Sequence, residues 1–437
     1  MTRTVLRGAR WPGDVAMADG RIVAVGSVPA ADGDVVVDCS GDLLTPGLVN
    51  THHHFYQWLT RGWAVDSTLF GWLQTLYPVW ARLSPEDVEA AAAVALAELA
   101  LSGCTTAADH HYLVPGGDDS VFDAIAAAAR LVGIRTHVAR GSMDLGESRG
   151  GLPPDSVVED LDAILASTEA VHARLHDGET LFVTAAPCSP FSVSQRLMRE
   201  SADLARRLGI RLHTHLAETL DEERDSLARF GKRPVELLDD LGWIDSDVWV
   251  AHGIHLSDRE VQRLAEARTG VAHCPSSNSR LGAGIARVRD LVDAGAPVGL
   301  GVDGVASNEI GTLQPELRMA LFLARQRAGD PTAFGPADAL ALGTSGGAAC
   351  LGRTDIGRLE VGLRADVVVW PGDDVADVLD PLAALVLGPE RSARHVYVGG
   401  VPVVADGHLV GADLASLRAD LTRRARRLWP DSSTPGG

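Results

Sequence analysis

Short apolar runs alternate with amphipathic helical segments through the middle of the chain. Eight runs fit buried β-strands, at residues 43–50, 103–111, 133–140, 181–188, 209–218, 248–252, 270–275 and 297–304. Helical patterns lie between them, for example over residues 85–101, 120–132, 194–208 and 258–268. Alternation of strand and helix predicts a parallel sheet with helices outside it. Eight such units predict an α/β fold of the (β/α)8 barrel type.

Both ends of the chain follow a different pattern. Near the N-terminus, short alternating runs are separated by turn pairs such as Asp19-Gly20, and residues 365–370 and 395–404 repeat this style near the C-terminus. Neither end has enough strands to bury a core alone. We therefore predict one small β-sandwich domain from residues 1–44 and 355–437, beside a barrel at 45–354. The last residues, 431–437, are expected to form a frayed tail.

Composition and charge narrow the class of protein. The chain has 437 residues, 46% of them apolar, which is enough for a barrel and a small second domain. A formal net charge of −19 without a basic patch argues against nucleic acid or an anionic membrane as a partner. No secretory leader or membrane-spanning apolar stretch is visible, so a cytoplasmic location is expected. The five cysteines lack a Cys-x-x-Cys pair and are expected to be buried apolar residues.

Candidate metal ligands follow the predicted strands. His52 and His54 come directly after the first run, and the two-residue period of a strand points them the same way. Other runs end in further groups of this kind, at His215, Glu218, His252, Asp303 and in the segment 109–111. In a (β/α)8 barrel, the carboxyl ends of the strands form the face on which active sites assemble. The pattern therefore predicts a metal-dependent hydrolase.

Lysine usage restricts the kind of metal centre. Lys232 is the only lysine, and it lies in a hydrophilic segment after the fifth predicted strand. This excludes a binuclear centre bridged by a carboxylated lysine, and it excludes Schiff-base chemistry at the barrel mouth. The chain also lacks the paired Pro-Cys-x-x-Cys motif of cytidine-deaminase-type sites.

Four motifs in order resemble the amidohydrolase superfamily, in its mononuclear aminohydrolase branch. They are PGLVNTHHH at 46–54, HLAE at 215–218, AH at 251–252 and GVDG at 301–304. The resemblance spans nearly the whole chain and includes the divided β-sandwich. It implies a hydrolytic deaminase of an amino-substituted heterocycle, such as 8-oxoguanine, guanine or isocytosine.

The resemblance also implies roles for the strand-end residues. His52, His54, His215 and Asp303 would bind one divalent metal, with Zn²⁺ favoured and Fe²⁺ also compatible with these donors. The metal would lower the pKa of a bound water, which attacks the carbon bearing the amine. Glu218 would protonate the ring nitrogen, and His252 and Asp303 would accept the proton of the attacking water. His213 lies one pleat deeper and is expected to support the ligands.

Substrate contacts are expected from residues near the strand ends. The candidates are Gln57, His111, Tyr112, Arg140 and Ser142. Gln57 can both donate and accept hydrogen bonds at the edge of a purine or pyrimidine. Trp58 departs from the family pattern, which has a small hydroxyl residue there, and its indole is expected to reshape the pocket mouth.

Two alternatives to deamination remain at this point. One is removal of another leaving group from an electron-poor ring, as in s-triazine degradation. The other is a non-catalytic barrel that serves as a scaffold, although the intact ligand set with Glu218 counts against it. The helical segment 314–327 and the acidic surface are compatible with a homo-oligomer.

Overall fold

The computed structural model describes residues 3–29 and 31–429. In chain order, its strands are β1 (Thr4–Arg7), β2 (Asp14–Ala18), β3 (Arg21–Gly26), β4 (Val35–Asp38), β5 (Leu43–Pro46), β6 (Leu48–Asn50), β7 (Cys104–His111), β8 (Arg135–Ser142), β9 (Leu181–Pro187), β10 (Leu212–Leu216), β11 (Val248–His252), β12 (Gly270–His273), β13 (Val298–Leu300), β14 (Val367–Trp370), β15 (His395–Val398), β16 (Val401–Ala405) and β17 (His408–Leu409). Its α-helices are α1 (Leu69–Trp80), α2 (Pro85–Leu101), α3 (Ser120–Val132), α4 (Leu161–Leu175), α5 (Gln195–Leu208), α6 (Leu220–Phe230), α7 (Pro234–Asp240), α8 (Asp258–Glu266), α9 (Pro275–Arg280), α10 (Val288–Ala294), α11 (Leu313–Ala328), α12 (Pro336–Ala341), α13 (Gly347–Cys350), α14 (Pro381–Leu387) and α15 (Leu414–Leu428).

Eight parallel strands close into a barrel, which confirms the predicted fold. Their order around the barrel is β6-β7-β8-β9-β10-β11-β12-β13, and β13 pairs with β6. Each of the eight predicted runs overlaps one of these strands, and β8 continues two residues past its predicted end at Arg140. All eight strands therefore end at the same face, where the predicted ligands follow them.

The first predicted run divides between two sheets at Gly47. β5 pairs antiparallel with β14, whereas β6 enters the barrel beside β7. A Cβ atom at Gly47 would lie 2.0 Å from Thr105 Oγ1, so the backbone crosses here only because the residue is glycine. The predicted boundary between residues 44 and 45 falls inside β5, and the division into domains remains a prediction.

The terminal segments form two facing sheets, as predicted. One has the order β3-β2-β1-β4 and the other β17-β16-β15-β14-β5. Side chains from both sheets share one buried cluster that includes Leu6, Val15 and Ile22 from the first sheet and Val367 and Val369 from the second. This shared cluster is the core that neither end could build alone. The predicted tail, residues 431–437, lies outside the described residues.

Helix α15 fastens the C-terminal segment to the barrel. Asp87 in the first turn of α2 is fully buried, and both Arg424 and Arg427 of α15 donate to its carboxylate. The same carboxylate accepts the backbone N–H of Ser84, the residue that caps α2. The five cysteines are buried free thiols, as expected. Within the described ranges, no helix combines the length and apolar character needed to cross a membrane.

Candidate active site

Three imidazoles and one carboxylate converge at the carboxyl ends of the barrel strands. His54 Nε2 lies 3.2 Å from His215 Nε2 and 3.2 Å from Asp303 Oδ1. His52 Nε2 lies 3.3 Å from the same Asp303 oxygen. The structure thus brings together all four residues predicted as metal ligands, although they come from the ends of β6, β10 and β13.

The second nitrogen of each imidazole determines which atom faces this cluster. His54 Nδ1 donates to the His110 carbonyl at 2.6 Å, and His215 Nδ1 donates to the Cys188 carbonyl at 2.6 Å. A neutral imidazole that donates through Nδ1 carries a lone pair on Nε2. Burial lowers the pKa of His215 to about 3, which favours the neutral ring. Two lone pairs therefore face each other at 3.2 Å, an arrangement that a bound cation would stabilise.

His52 is oriented by a chain of two hydrogen bonds. His213 Nδ1 lies 2.9 Å from the Trp249 carbonyl and must donate to it. His213 Nε2 is then an acceptor, and it lies 2.8 Å from His52 Nδ1. His52 Nε2 is consequently unprotonated, buried and without a hydrogen-bond partner among the described residues. His213 lies beneath the ligands, where the sequence placed it.

Asp303 is held by neighbours that leave one oxygen facing the imidazoles. Ser277 Oγ donates to Asp303 Oδ2 at 2.7 Å, and the Gly304 backbone N–H donates to Oδ1 at 2.8 Å. Glu316 supports the same loop, because its carboxylate accepts the Ser276 N–H and an N–H of the Asn308 side chain. These contacts fix the carboxylate before any ligand binds.

Glu218 and His252 lie next to each other beside the cluster. Glu218 Oε2 lies 3.6 Å from His252 Nε2, and both side chains are buried. Burial, and secondarily the charge of Asp303, raise the pKa of Glu218 to about 8. His252 Nδ1 donates to Asn278 Oδ1 at 3.0 Å, so its Nε2 is free to accept a proton. Glu218 can therefore hold a proton at neutral pH, next to the lone pair that His252 presents on Nε2.

Strained backbone occurs at the ends of three of these strands. Ala217, His252 and Asp303 adopt φ values of 53°, 75° and 60°, a left-handed region that residues with a side chain rarely occupy. Such conformations cost about 1–3 kcal/mol each and persist only where the surroundings impose them. All three positions carry or directly precede a predicted functional side chain.

A cavity opens onto the cluster. Its polar floor consists of His54, His215, Glu218, His252 and Asp303. Its apolar wall consists of Leu69, Trp72, Leu73, Tyr77, Phe191 and Leu281. A polar floor and an apolar wall together suit a flat ring with one polar edge.

Two of the predicted substrate contacts line this cavity. Gln57 lies on the short 3₁₀ helix Phe55–Thr60, and both atoms of its amide are buried without a partner among the described residues. Tyr112 follows β7 and also lines the cavity. An unpaired buried amide is costly, so Gln57 is a strong candidate for a ligand contact.

The other three candidates do not line the cavity. Arg140 donates two hydrogen bonds to Glu159, at 2.9 and 2.6 Å. His111 Nε2 donates to the Leu113 carbonyl, and Ser142 is buried in β8. Trp58 is also absent from the lining, and its indole packs on Gly311, so the expectation that it reshapes the pocket mouth is wrong.

Sequence reasoning missed the aromatic wall. Trp72 and Tyr77 lie on α1, between the first barrel strand and α2, and Phe191 follows β9. The available signal was the aromatic-rich segment Leu69–Trp80, which lies directly after the His52 motif. The alternation that shows which side chains of a strand point inward does not apply to a helix in a loop, so the sequence does not show which of its residues face the cavity.

Comparison of the sequence with known protein families identifies the family to which this chain belongs. The Amidohydrolase family model matches residues 43–403. The chain belongs to the amidohydrolase family. This amidohydrolase is 51% identical to 8-oxoguanine deaminase of Pseudomonas aeruginosa, over 93% of each chain. It is 36% identical to an isoxanthopterin deaminase from an unknown prokaryotic organism, over 96% of this chain and 93% of the relative.

Solved structures agree with this family membership. Atrazine chlorohydrolase of Arthrobacter aurescens TC1 complexed with zinc superposes with a TM-score of 0.91 at 32% identity, covering 97% of this chain and 100% of that one. An adenosine deaminase from Xanthomonas campestris with bound zinc gives a TM-score of 0.87 at 31% identity, over 95% and 93% of the two chains. The amidohydrolase thus shares its whole architecture with metal-binding relatives.

Proposed function

We propose that this amidohydrolase is a zinc-dependent deaminase that hydrolyses 8-oxoguanine to urate and ammonia. The observation that carries the proposal is the convergence of three unprotonated Nε2 atoms and Asp303 Oδ1 beside the Glu218 and His252 pair. The substrate is suggested by the 51% identical relative, which is an 8-oxoguanine deaminase.

The donor set fits a single divalent cation. His52, His54 and His215 each offer a nitrogen lone pair, and Asp303 offers a carboxylate oxygen. Three imidazoles and a carboxylate are typical ligands of zinc, and ferrous iron accepts the same donors. When bound, the cation would supply a water activated for attack near neutral pH.

The protein side chains then move protons. Glu218, with a pKa of about 8, is protonated at neutral pH and can donate to the ring nitrogen next to the amine-bearing carbon. This donation quenches the negative charge that develops as the carbon–oxygen bond forms. His252 or Asp303 accepts the proton of the attacking water and delivers it to the departing ammonia as the carbon–nitrogen bond breaks. The remaining hydroxyl proton returns to Glu218 as the carbonyl forms, which restores the acid.

The cavity orients the ring for this reaction. We assign the polar edge of the substrate to Gln57, whose unpaired amide can donate and accept at once. Trp72 and Tyr77 offer apolar surface to the ring, and Tyr112 lies beside His54 with ring centroids 5.2 Å apart. The flat wall and polar floor favour a nucleobase-sized ligand.

A second candidate function is hydrolysis of a substituted s-triazine. It is favoured by the structural similarity to atrazine chlorohydrolase, at a TM-score of 0.91. The same residues would serve this reaction, with a leaving group other than ammonia.

A substrate panel tests the proposal. Zinc-replete protein is incubated with 8-oxoguanine, guanine, isocytosine and chloro- or alkylamino-triazines, and ammonia, urate and chloride are measured. We expect the highest kcat/KM for 8-oxoguanine, with equal amounts of urate and ammonia. Faster turnover of a triazine would replace the proposal with the second candidate, and no turnover of any ring would support the scaffold alternative.

A further inference from the structure

The structure assigns a positioning role to Glu222, which we propose holds Glu218 against His252 through the backbone. Glu222 lies in the first turn of α6, is buried, and does not line the cavity. The inference rests on the proposed function, in which Glu218 transfers the proton.

Glu222 contacts the peptide groups on both sides of the strained turn. Between the end of β10 and the start of α6, the chain reverses through Ala217, whose φ is 53°. Glu222 Oε1 accepts the Ala217 N–H at 2.9 Å, and Oε2 accepts the Glu218 N–H at 2.7 Å. Each carboxylate oxygen thus holds one of two consecutive N–H groups, which fixes the direction in which the Glu218 side chain leaves the backbone.

This arrangement differs from an ordinary capping box. Thr219 caps α6, since its Oγ1 accepts the Glu222 N–H at 3.2 Å. In a capping box, the acidic residue three positions later accepts the N–H of the capping residue itself. Helix α8 shows that pattern, because Glu260 accepts the Ser257 N–H at 2.7 Å. Glu222 instead reaches past Thr219 to the two residues before it.

The same turn is attached to the loop that follows His252. The Ala217 carbonyl accepts the Ile254 N–H at 2.9 Å and the His255 N–H at 3.0 Å. Glu222 holds one side of the Ala217 residue through its N–H, and the His252 loop holds the other through its carbonyl. The two groups that exchange protons with substrate are therefore set against each other by one shared turn.

Replacing Glu222 by glutamine tests this role. In Glu222→Gln, one oxygen remains to accept one N–H, while the new amide N–H₂ faces the other N–H. Glu218 should shift, and misplacement of a catalytic group by about 1 Å can cost about 100-fold in rate. We expect kcat to fall at least about tenfold. KM and zinc content should stay within about twofold of the wild type, because the altered side chain touches neither substrate nor ligands.

Thr219→Ala is the matched control. It removes the cap of the same helix but leaves both N–H contacts of Glu222 in place. We expect it to lower the Tm with little change in kcat. Equal losses of kcat in the two variants at equal loss of Tm would overturn the proposal, because Glu222 would then only stabilise α6.

A crystal structure of Glu222→Gln separates this inference from the proposed function. We expect the Glu218 carboxyl to move away from His252, relative to the 3.6 Å separation described above. An unmoved Glu218 would refute the positioning role even if the enzyme is a deaminase. A moved Glu218 in a protein without deaminase activity would refute the proposed function and leave the positioning role intact.

Discussion

The floor and the wall of the cavity are built by different means. On the floor, the imidazoles and carboxylates are oriented by additional hydrogen bonds, such as His215 to the Cys188 carbonyl. On the wall, packing is the main contact, with Phe70 against Phe191 at 5.5 Å and Trp72 against Trp80 at 5.1 Å between ring centroids, and one hydrogen bond adds to it, from the Trp72 indole to the Ala306 carbonyl. Directed bonds fix angles closely, whereas packing fixes volume. The floor should therefore determine whether reaction occurs, and the wall which ring is accepted.

Removing a floor ligand should have the largest effect. In His215→Ala, one of the four converging donors is lost, so we expect loss of zinc and of turnover. Asp303→Asn should also abolish turnover, with smaller zinc loss, because the amide oxygen can still coordinate. Zinc content by atomic absorption and ammonia release check both. His395→Ala, in strand β15 of the terminal sheets, is the control, and retained activity in His215→Ala would contradict the ligand assignment.

Glu218→Gln should separate proton transfer from metal binding on the same floor. We expect kcat to fall about a thousandfold while zinc content is unchanged, because glutamine has similar volume but cannot donate a proton and regain it. Rate and zinc measurements on one preparation check this. Glu223→Gln alters a neighbouring carboxyl that pairs with Arg233, and it should keep its kcat. Zinc loss in Glu218→Gln would place Glu218 among the ligands.

A wall variant should change affinity more than rate. In Trp72→Phe, the ring keeps its apolar face but loses the indole N–H that donates to the Ala306 carbonyl at 3.1 Å. We expect KM for the preferred base to rise about two- to tenfold with kcat nearly unchanged. Steady-state measurement of kcat and KM with a purine and a pyrimidine substrate checks this prediction. A fall in kcat as large as that of Glu218→Gln would contradict the proposal that the wall affects binding and the floor affects reaction.

The last prediction leaves activity aside and concerns stability beneath the floor. Asp109 is buried, and among the described residues its carboxyl group accepts only the Phe55 N–H, at 2.8 Å. Burial raises the pKa of this carboxyl group to about 7. Since the unfolded carboxyl titrates near 4, the folded state binds more protons between about pH 4 and 7, and stability falls as pH rises. We expect Asp109→Asn to be stabilised relative to the wild type, increasingly from pH 5 to pH 7.

Thermal unfolding at several pH values measures this difference in Tm. The gain should level off above the folded pKa, where the wild-type carboxylate is ionised in both states. Asp162→Asn, at a well-exposed position, should show no such trend. A difference independent of pH would mean that Asp109 is not titrating in this range.

The barrel and the floor could be predicted because strand geometry constrains them. An alternating run fixes which side chains point inward, and parallel strands bring their ends to one face. This is why His52, His54, His215 and Asp303 meet, although up to 251 positions separate them in the sequence.

Substrate contacts outside the floor were harder to predict. A motif shows that a residue lies near a strand end, but it does not show whether its side chain points into the barrel or outward. His110 points into the barrel, where its ring lies 4.8 Å from that of His213. The next residue, His111, points to the helical layer, with its ring 5.8 Å from that of Phe122 on α3. Arg140 also faces outward, over the same Phe122 ring. Which residues of α1 line the wall depends on how this helix packs on the barrel, and the local sequence pattern does not predict that orientation.

The crossing at Gly47 links the stability of the terminal sheets to metal retention in the barrel. The backbone leaves the terminal sheet at Pro46 and reaches His52 within six residues, with no flexible spacer between them. Peeling β5 away from β14 would pull directly on the strand that carries two of the four proposed ligands. Local unfolding of the terminal sheets should therefore release the cation before the barrel unfolds. A chelator that reports free zinc would detect this release at a lower temperature than the unfolding of the barrel.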